Sequence, residues 1–138
     1  MARPRPRSLH VRPRTTVIDW LIGTPFALPS TLLSTYPELQ DVRWRRGGLA
    51  LRIGGWCLGR ATVAGITLWR TVWLSEGTPL DPELLLHELR HVHQFQDDRA
   101  FPLRYLWGSV RHGYANNPYE MDARAFAAQR TGRASSTV

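Results

Sequence analysis

The chain has 138 residues, 43% of them hydrophobic and 21% charged, a composition that supports a core and excludes a disordered or collagen-like polymer. A lone cysteine, Cys57, excludes an internal disulfide framework and a cysteine-based zinc knuckle, so any metal site must use histidine and carboxylate. The net charge is +7 and all 18 basic residues are arginine, but Arg3, Arg5, Arg7, Arg12 and Arg14 lie in an N-terminal arm without acids, leaving 13 arginines against 11 acids elsewhere. The arm reads as a solvated segment; contact with RNA, DNA or anionic lipid is the alternative, and no recognition-helix pattern backs nucleic-acid binding.

Residues 1–14, with Pro4, Pro6 and Pro13 among the arginines, are expected to be extended and disordered. Residues 15–132 form the expected single domain, and the Ser-rich segment 133–138 a frayed tail. Thr16 to Ile22 is apolar, but it contains Asp19 and is followed by Pro25 and Pro29. It therefore reads as a short packing helix rather than a membrane span or signal peptide. A second helix is expected from about Ser30 to Tyr36. With no clear export signal, a cytoplasmic location is the expectation.

From Asp41 the pattern changes. Val42-Arg43-Trp44-Arg45, Leu49-Ala50-Leu51-Arg52-Ile53 and Trp56-Cys57-Leu58 are short alternating runs separated by Gly47-Gly48 and Gly54-Gly55, a hairpin signal. Gly65 to Leu74 reads as the longest strand, with Ile66, Leu68, Val72 and Leu74 on one face and Thr67, Trp69, Thr71 and Trp73 on the other. The fold class is thus α+β, with a small antiparallel sheet ahead of the helices.

After a turn over Ser75 to Leu80, Asp81 as N-cap and Pro82 at the first helical position start a helix running to about Gln96. It carries His87-Glu88-Leu89-Arg90-His91, an H-E-x-x-H. Residues four apart share a helix face, so both imidazoles can reach one metal ion. Glu88, about 100° further round, can touch a water at that metal as a general base. Leu85, Leu89 and Val92 form the expected buried stripe. Gln94 lies on the imidazole face and can support a ligand, whereas His93 points elsewhere. Arg90 borders the ligand face and either pairs with Asp97 or Asp98 or binds a substrate carboxylate.

Pro102 opens a helix to about Arg111, with Leu103, Leu106, Trp107 and Val110 as its apolar side. A last helix begins at Asn117-Pro118, turns Met121, Ala125 and Ala128 inward and ends near Gly132. Zinc needs a third protein ligand. The candidates are Glu120, Asp122, His112, Asp97 and Asp98, and Glu120 is chosen because its helix can lie beside the motif helix. Asn117 to Glu120 is also a capping box, which is the competing reading of that glutamate.

Gly65 to Leu68 with Val72 to Leu74, Leu85 to Gln94, and Tyr114 with Asn117 to Ala123 together resemble the minimal gluzincins. More narrowly, they resemble the small metallopeptidase-like domains found in bacteria, alone or alongside extracellular contractile injection systems. The resemblance covers about residues 40–130. It implies a zincin-like fold in which the sheet is followed by an active-site helix and a third-ligand helix. It also implies Zn2+ on His87, His91 and Glu120, Glu88 as base, and an outer strand along which a peptide can add. Two positions depart from the pattern. Arg124 stands where thermolysin-type members carry an Asp, so Asp122 or Gln94 would have to orient a histidine, and Arg90 lies inside the motif. The expected activity is zinc-dependent hydrolysis of a peptide or protein substrate. Tyr114 and His112 are the candidate oxyanion donors, with a packed aromatic and a loop histidine as the competing readings. The alternative function is a non-catalytic, zinc-stabilised peptide- or protein-binding module.

Overall fold

The computed structural model describes residues 17–57 and 63–132; the expectations for the arginine-rich arm, for Leu58 and for the Ser-rich tail lie outside the described residues. The elements in chain order are α1 (Val17–Ile22), β1 (Thr24–Pro25), α2 (Ser30–Thr35), a 3-10 turn (Pro37–Asp41), β2 (Arg43–Arg46) and α3 (Leu49–Cys57). They continue with β3 (Gly65–Leu68), β4 (Thr71–Leu74), α4 (Pro82–Asp97), α5 (Phe101–His112) and α6 (Pro118–Arg130). This is a mixed α/β arrangement with one four-stranded sheet in the order β1-β2-β4-β3.

The sheet corrects the expected antiparallel one. β1 and β3 run antiparallel to their neighbours, but β2 and β4 pair in parallel, Trp44 opposite Val72 and Arg46 opposite Leu74. The cause lies in the glycines. Gly47 and Gly48 have φ of +66° and +98°, and they end β2 by turning the chain into α3 rather than into a second strand. α3 and β3 then lie in the long connection that a parallel pair requires. Gly54 is inside that helix, where a Cβ would fall 1.9 Å from Ile66 Cδ1. The second Gly-Gly therefore marks the close approach of α3 to β3, not a turn.

Gly65 to Leu74 is a hairpin rather than one strand. Its two-residue turn is Trp69-Arg70, with Trp69 at φ +53° supplying the left-handed geometry usually left to glycine or asparagine. Thr67 consequently sits opposite Val72 and Gly65 opposite Leu74, which changes the face assignment: Thr67, Val72 and Leu74 point inward together. Ile66 pairs instead with Trp73, whose Nε1 donates to Ile22 O at 2.7 Å.

α4 lies against this inward face. Asp81 caps it, accepting from the Glu83 N–H at 2.9 Å, and Leu85, Leu86, Leu89 and Val92 enter the core with Val72, Leu74 and Trp44. Burial of each such side chain is worth about 1.5–3 kcal/mol. α6 packs against α4 but does not turn Met121 and Ala125 inward as expected. Both are exposed, and Glu120, Ala123 and Ala127 form the buried face instead. α5 likewise buries Phe101 and Gly108 while Leu103, Leu106, Trp107 and Val110 face solvent. α1 forms as expected but buries none of its residues. Among the described residues no helix is long and apolar enough to cross a membrane.

Candidate metal centre

Three ligand-type side chains converge where α4 meets α6. His87 and His91 Nε2 are 3.2 Å apart; Glu120 Oε2 lies 3.3 Å from the first and Oε1 3.1 Å from the second. A tetrahedral zinc with arms of about 2.0–2.1 Å would space its ligand atoms by about 3.3–3.4 Å, so the cluster has the dimensions such an ion requires. His91 and Glu120 are buried and His87 is partly so.

The chemistry of the donors fits the ion as well as the distances do. Gln94 Nε2 donates to Tyr119 O at 3.1 Å and to Asp122 Oδ2 at 2.8 Å, which turns its Oε1 toward His91 Nδ1, also 2.8 Å away. Nδ1 therefore carries the hydrogen in the neutral ring, and Nε2 presents its lone pair to the cluster. Two imidazole nitrogens facing each other and a carboxylate repel unless a proton or a cation sits between them. Burial alone would lower the His91 pKa, but the hydrogen bond to Glu120 and the charges of Glu88 and Glu120 outweigh it and raise the value. A proton here takes the place that suits a cation.

Glu120 is fixed from the opposite side. Burial would raise its pKa, yet hydrogen bonds from His87, His91 and Tyr105 carry it well below the usual carboxylate range. Tyr105 Oη donates to Glu120 Oε1 at 2.6 Å, and burial together with that neighbouring charge pushes the phenol far above its ordinary value, so it remains a donor. Asn117 caps α6 by accepting from the Tyr119 N–H at 3.1 Å. It also locks α6 to α5, donating to Tyr105 O at 2.9 Å and Ser109 Oγ at 2.8 Å. Gly108 makes room for it, since a Cβ there would come within 3.0 Å of Asn117 Oδ1. Only the asparagine half of the capping box forms. The Asn117 N–H goes to Tyr114 O, and the Glu120 carboxylate turns to the imidazoles.

Glu88 points to the sheet side of the cluster and is 5% exposed. Thr67 Oγ1 donates to its Oε2 at 2.6 Å, and a Cβ on Gly65 would come within 2.8 Å of its Oε1, so glycine keeps that oxygen's surroundings clear. Two grooves meet at Glu88. A smaller one of about 300 Å³ is lined by His87, Tyr114, Glu83 and Arg124, and a larger, mainly apolar one of about 470 Å³ also reaches His91, Glu120 and Tyr105. Tyr114 borders both. His112 is exposed at the end of α5 and lines neither. His93 packs edge-on against Phe126 with ring centroids 6.0 Å apart.

Arg90 pairs with neither Asp97 nor Asp98. It binds Asp122 at 2.7 Å, and with Gln94 it holds that carboxylate below its ordinary pKa against the opposing effect of burial. The result is a relay Arg90–Asp122–Gln94–His91, through which Gln94 fixes the His91 ring. Arg124 itself donates to Glu120 O and to Ala115 O, steadying the start of α6. Sequence reasoning missed Tyr105, Thr67 and Gly65. Tyr105 is fifteen residues from Glu120 on another helix, and a threonine and a glycine in a strand carry no mark of their partner. Among the described residues no buried side-chain polar atom lacks a hydrogen-bond partner. No protein-family model, curated protein or solved structure matches the chain.

Proposed function

We propose that the chain is a zinc-dependent, metallopeptidase-like hydrolase of minimal gluzincin type. The observation that carries the reading is the placement of Glu88, oriented by Thr67, beside two histidines of its own helix and a buried glutamate from α6. His87, His91 and Glu120 would hold the ion, and a two-imidazole, one-carboxylate set with room for water suits catalytic zinc. Bound zinc supplies Lewis acidity toward a peptide carbonyl and brings the pKa of water toward neutrality.

The remaining work falls to the chain. Glu88 Oε2 is taken up by Thr67, which leaves Oε1 to accept a proton from the attacking water and pass it to the departing amine. Gln94 holds the His91 ring in the ligating tautomer, and Tyr105 holds Glu120. Tyr114, at the junction of the two grooves, is assigned the hydrogen bond to the developing oxyanion. β3 is the edge strand of the sheet and carries both Gly65 and Thr67, so an extended peptide pairing along it would run past Glu88.

Glu88→Gln tests this reading. The variant should retain zinc and lose hydrolysis of a denatured-protein pool by about 10²-fold or more. Turnover equal to wild type would remove Glu88 from the role, and zinc binding without any turnover in the wild type would favour the binding module.

A further inference from the structure

α5 carries Leu103, Leu106, Trp107 and Val110 at the spacing of a helix's buried stripe, yet they are 74, 45, 65 and 81% exposed. Its inward face is given over to the centre: Tyr105 to Glu120, Gly108 to Asn117. α1 is more extreme. Val17, Ile18, Trp20, Leu21 and Ile22 are all at least 42% exposed.

These surfaces are not scattered. Leu21 of α1, Ile53 of α3, Leu68 of β3 and Leu106 of α5 all line the larger groove, which descends to Glu88, His91 and Glu120. One exposed apolar side chain of each helix, Leu21 of α1 and Leu106 of α5, therefore reaches this groove, and the remaining exposed apolar side chains lie on the same two short helices. An exposed apolar patch of this kind marks a docking surface.

Charge says what it docks on. From Arg99 to Tyr119 the sequence contains Arg99, Arg104 and Arg111 and no acid. Arg104 pairs with Asp98 at 3.0 Å but keeps a side chain 65% exposed. A second copy meeting α5 against α5 would bring Arg104 and Arg111 against their like, since α5 itself carries no acid and α1 carries only Asp19. A lipid–water interface with anionic headgroups meets both features, taking leucine and tryptophan at the acyl boundary and arginine at the phosphates.

We propose that the α1–α5 face docks on an anionic membrane surface and turns the mouth of the groove toward it. Docking requires no metal, so its test is independent of the hydrolase reading.

The test is flotation of the full chain with vesicles of phosphatidylcholine, alone or with about 30% phosphatidylglycerol. The comparison is a triple variant, Leu103→Ser, Trp107→Ser and Val110→Ser, whose exposed positions should leave the thermal midpoint unchanged. Wild type should float with the anionic vesicles and about tenfold less with neutral ones. The triple variant should lose at least about tenfold in partition, and Arg104→Gln with Arg111→Gln should weaken the preference for anionic lipid. Equal flotation of the triple variant and wild type would overturn the proposal and leave binding to the arginine-rich arm. No flotation of wild type would overturn it as well. So would lipid-free self-association, seen by sedimentation velocity and lost in the triple variant, which would make the face an interface between copies.

Discussion

Thr67→Val isolates the contact that aims the proposed base. Thr67 is 7% exposed and Glu88 5%, and the hydroxyl donates to the carboxylate at 2.6 Å. The same hydroxyl is 3.3 Å from Glu88 O, so its single hydrogen goes to the nearer oxygen. Valine preserves shape and removes the donor. A buried hydrogen bond to a charged group contributes about 1.5–3 kcal/mol, and for a chain of this size that is a fall of roughly 5–12 °C in midpoint. In a Glu88→Gln background the bond is neutral, so the same substitution should cost only about 1 kcal/mol. The coupling, about 0.5–2 kcal/mol, is read from urea unfolding of the four metal-free proteins at neutral pH. Zinc stoichiometry should not change, because Thr67 touches no ligand. Strictly additive costs, with a coupling of about zero, would show that Thr67 does not hold the Glu88 carboxylate.

Gln94→Leu and Tyr105→Phe should each weaken zinc binding by about 10–100-fold in competition with a chromophoric chelator, while preserving its stoichiometry, because they orient ligands without being ligands. The pH dependence follows from His91. Its raised pKa stabilises the metal-free fold fully below the ordinary histidine value of about 6.5, and that contribution is lost as pH rises through the raised value. Zinc must displace the same proton, so its affinity should begin to fall, on acidification, above about pH 6.5; an affinity flat from about pH 6 to 8 would contradict this. Gly54→Ala should destabilise by about 1–3 kcal/mol through collision with Ile66 Cδ1, and Ile66→Val, which removes that atom, should restore most of the loss in thermal melts.

How far the molecule was legible in its sequence depended on whether a residue's partner was local. α4 was readable because its cap, its apolar stripe and its ligand pair all lie within one helix, and Gln94 was found from the same periodicity. Glu120 could be singled out because its helix has a clear start. The faces of α5 and α6 were misjudged because apolar spacing was assumed to decide burial. In α5 the inward face is instead set by Tyr105 and Gly108, which leaves an apolar stripe outside, and in α6 Glu120 turns in with Ala123 and Ala127, which leaves Met121 and Ala125 outside. The glycine pairs were ambiguous because positive φ and close packing both select glycine. The hairpin at Trp69 was invisible because a tryptophan supplies the turn geometry. For Arg90 the sequence offered the nearby Asp97 and Asp98 or a substrate carboxylate, whereas its partner, Asp122, lies on the neighbouring helix.

The central claim is that His87, His91 and Glu120 form one metal site, and elemental analysis of protein purified without a histidine tag tests it most directly. Wild type, His91→Ala and Glu120→Ala should be compared after zinc addition and dialysis. The account predicts about one zinc per chain in the wild type and a sharp loss in both variants. Zinc retained by Glu120→Ala, with only the ~1 kcal/mol loss expected of a weakened helix start, would show that Glu120 is no ligand. Absence of bound metal from the wild type would contradict the site altogether.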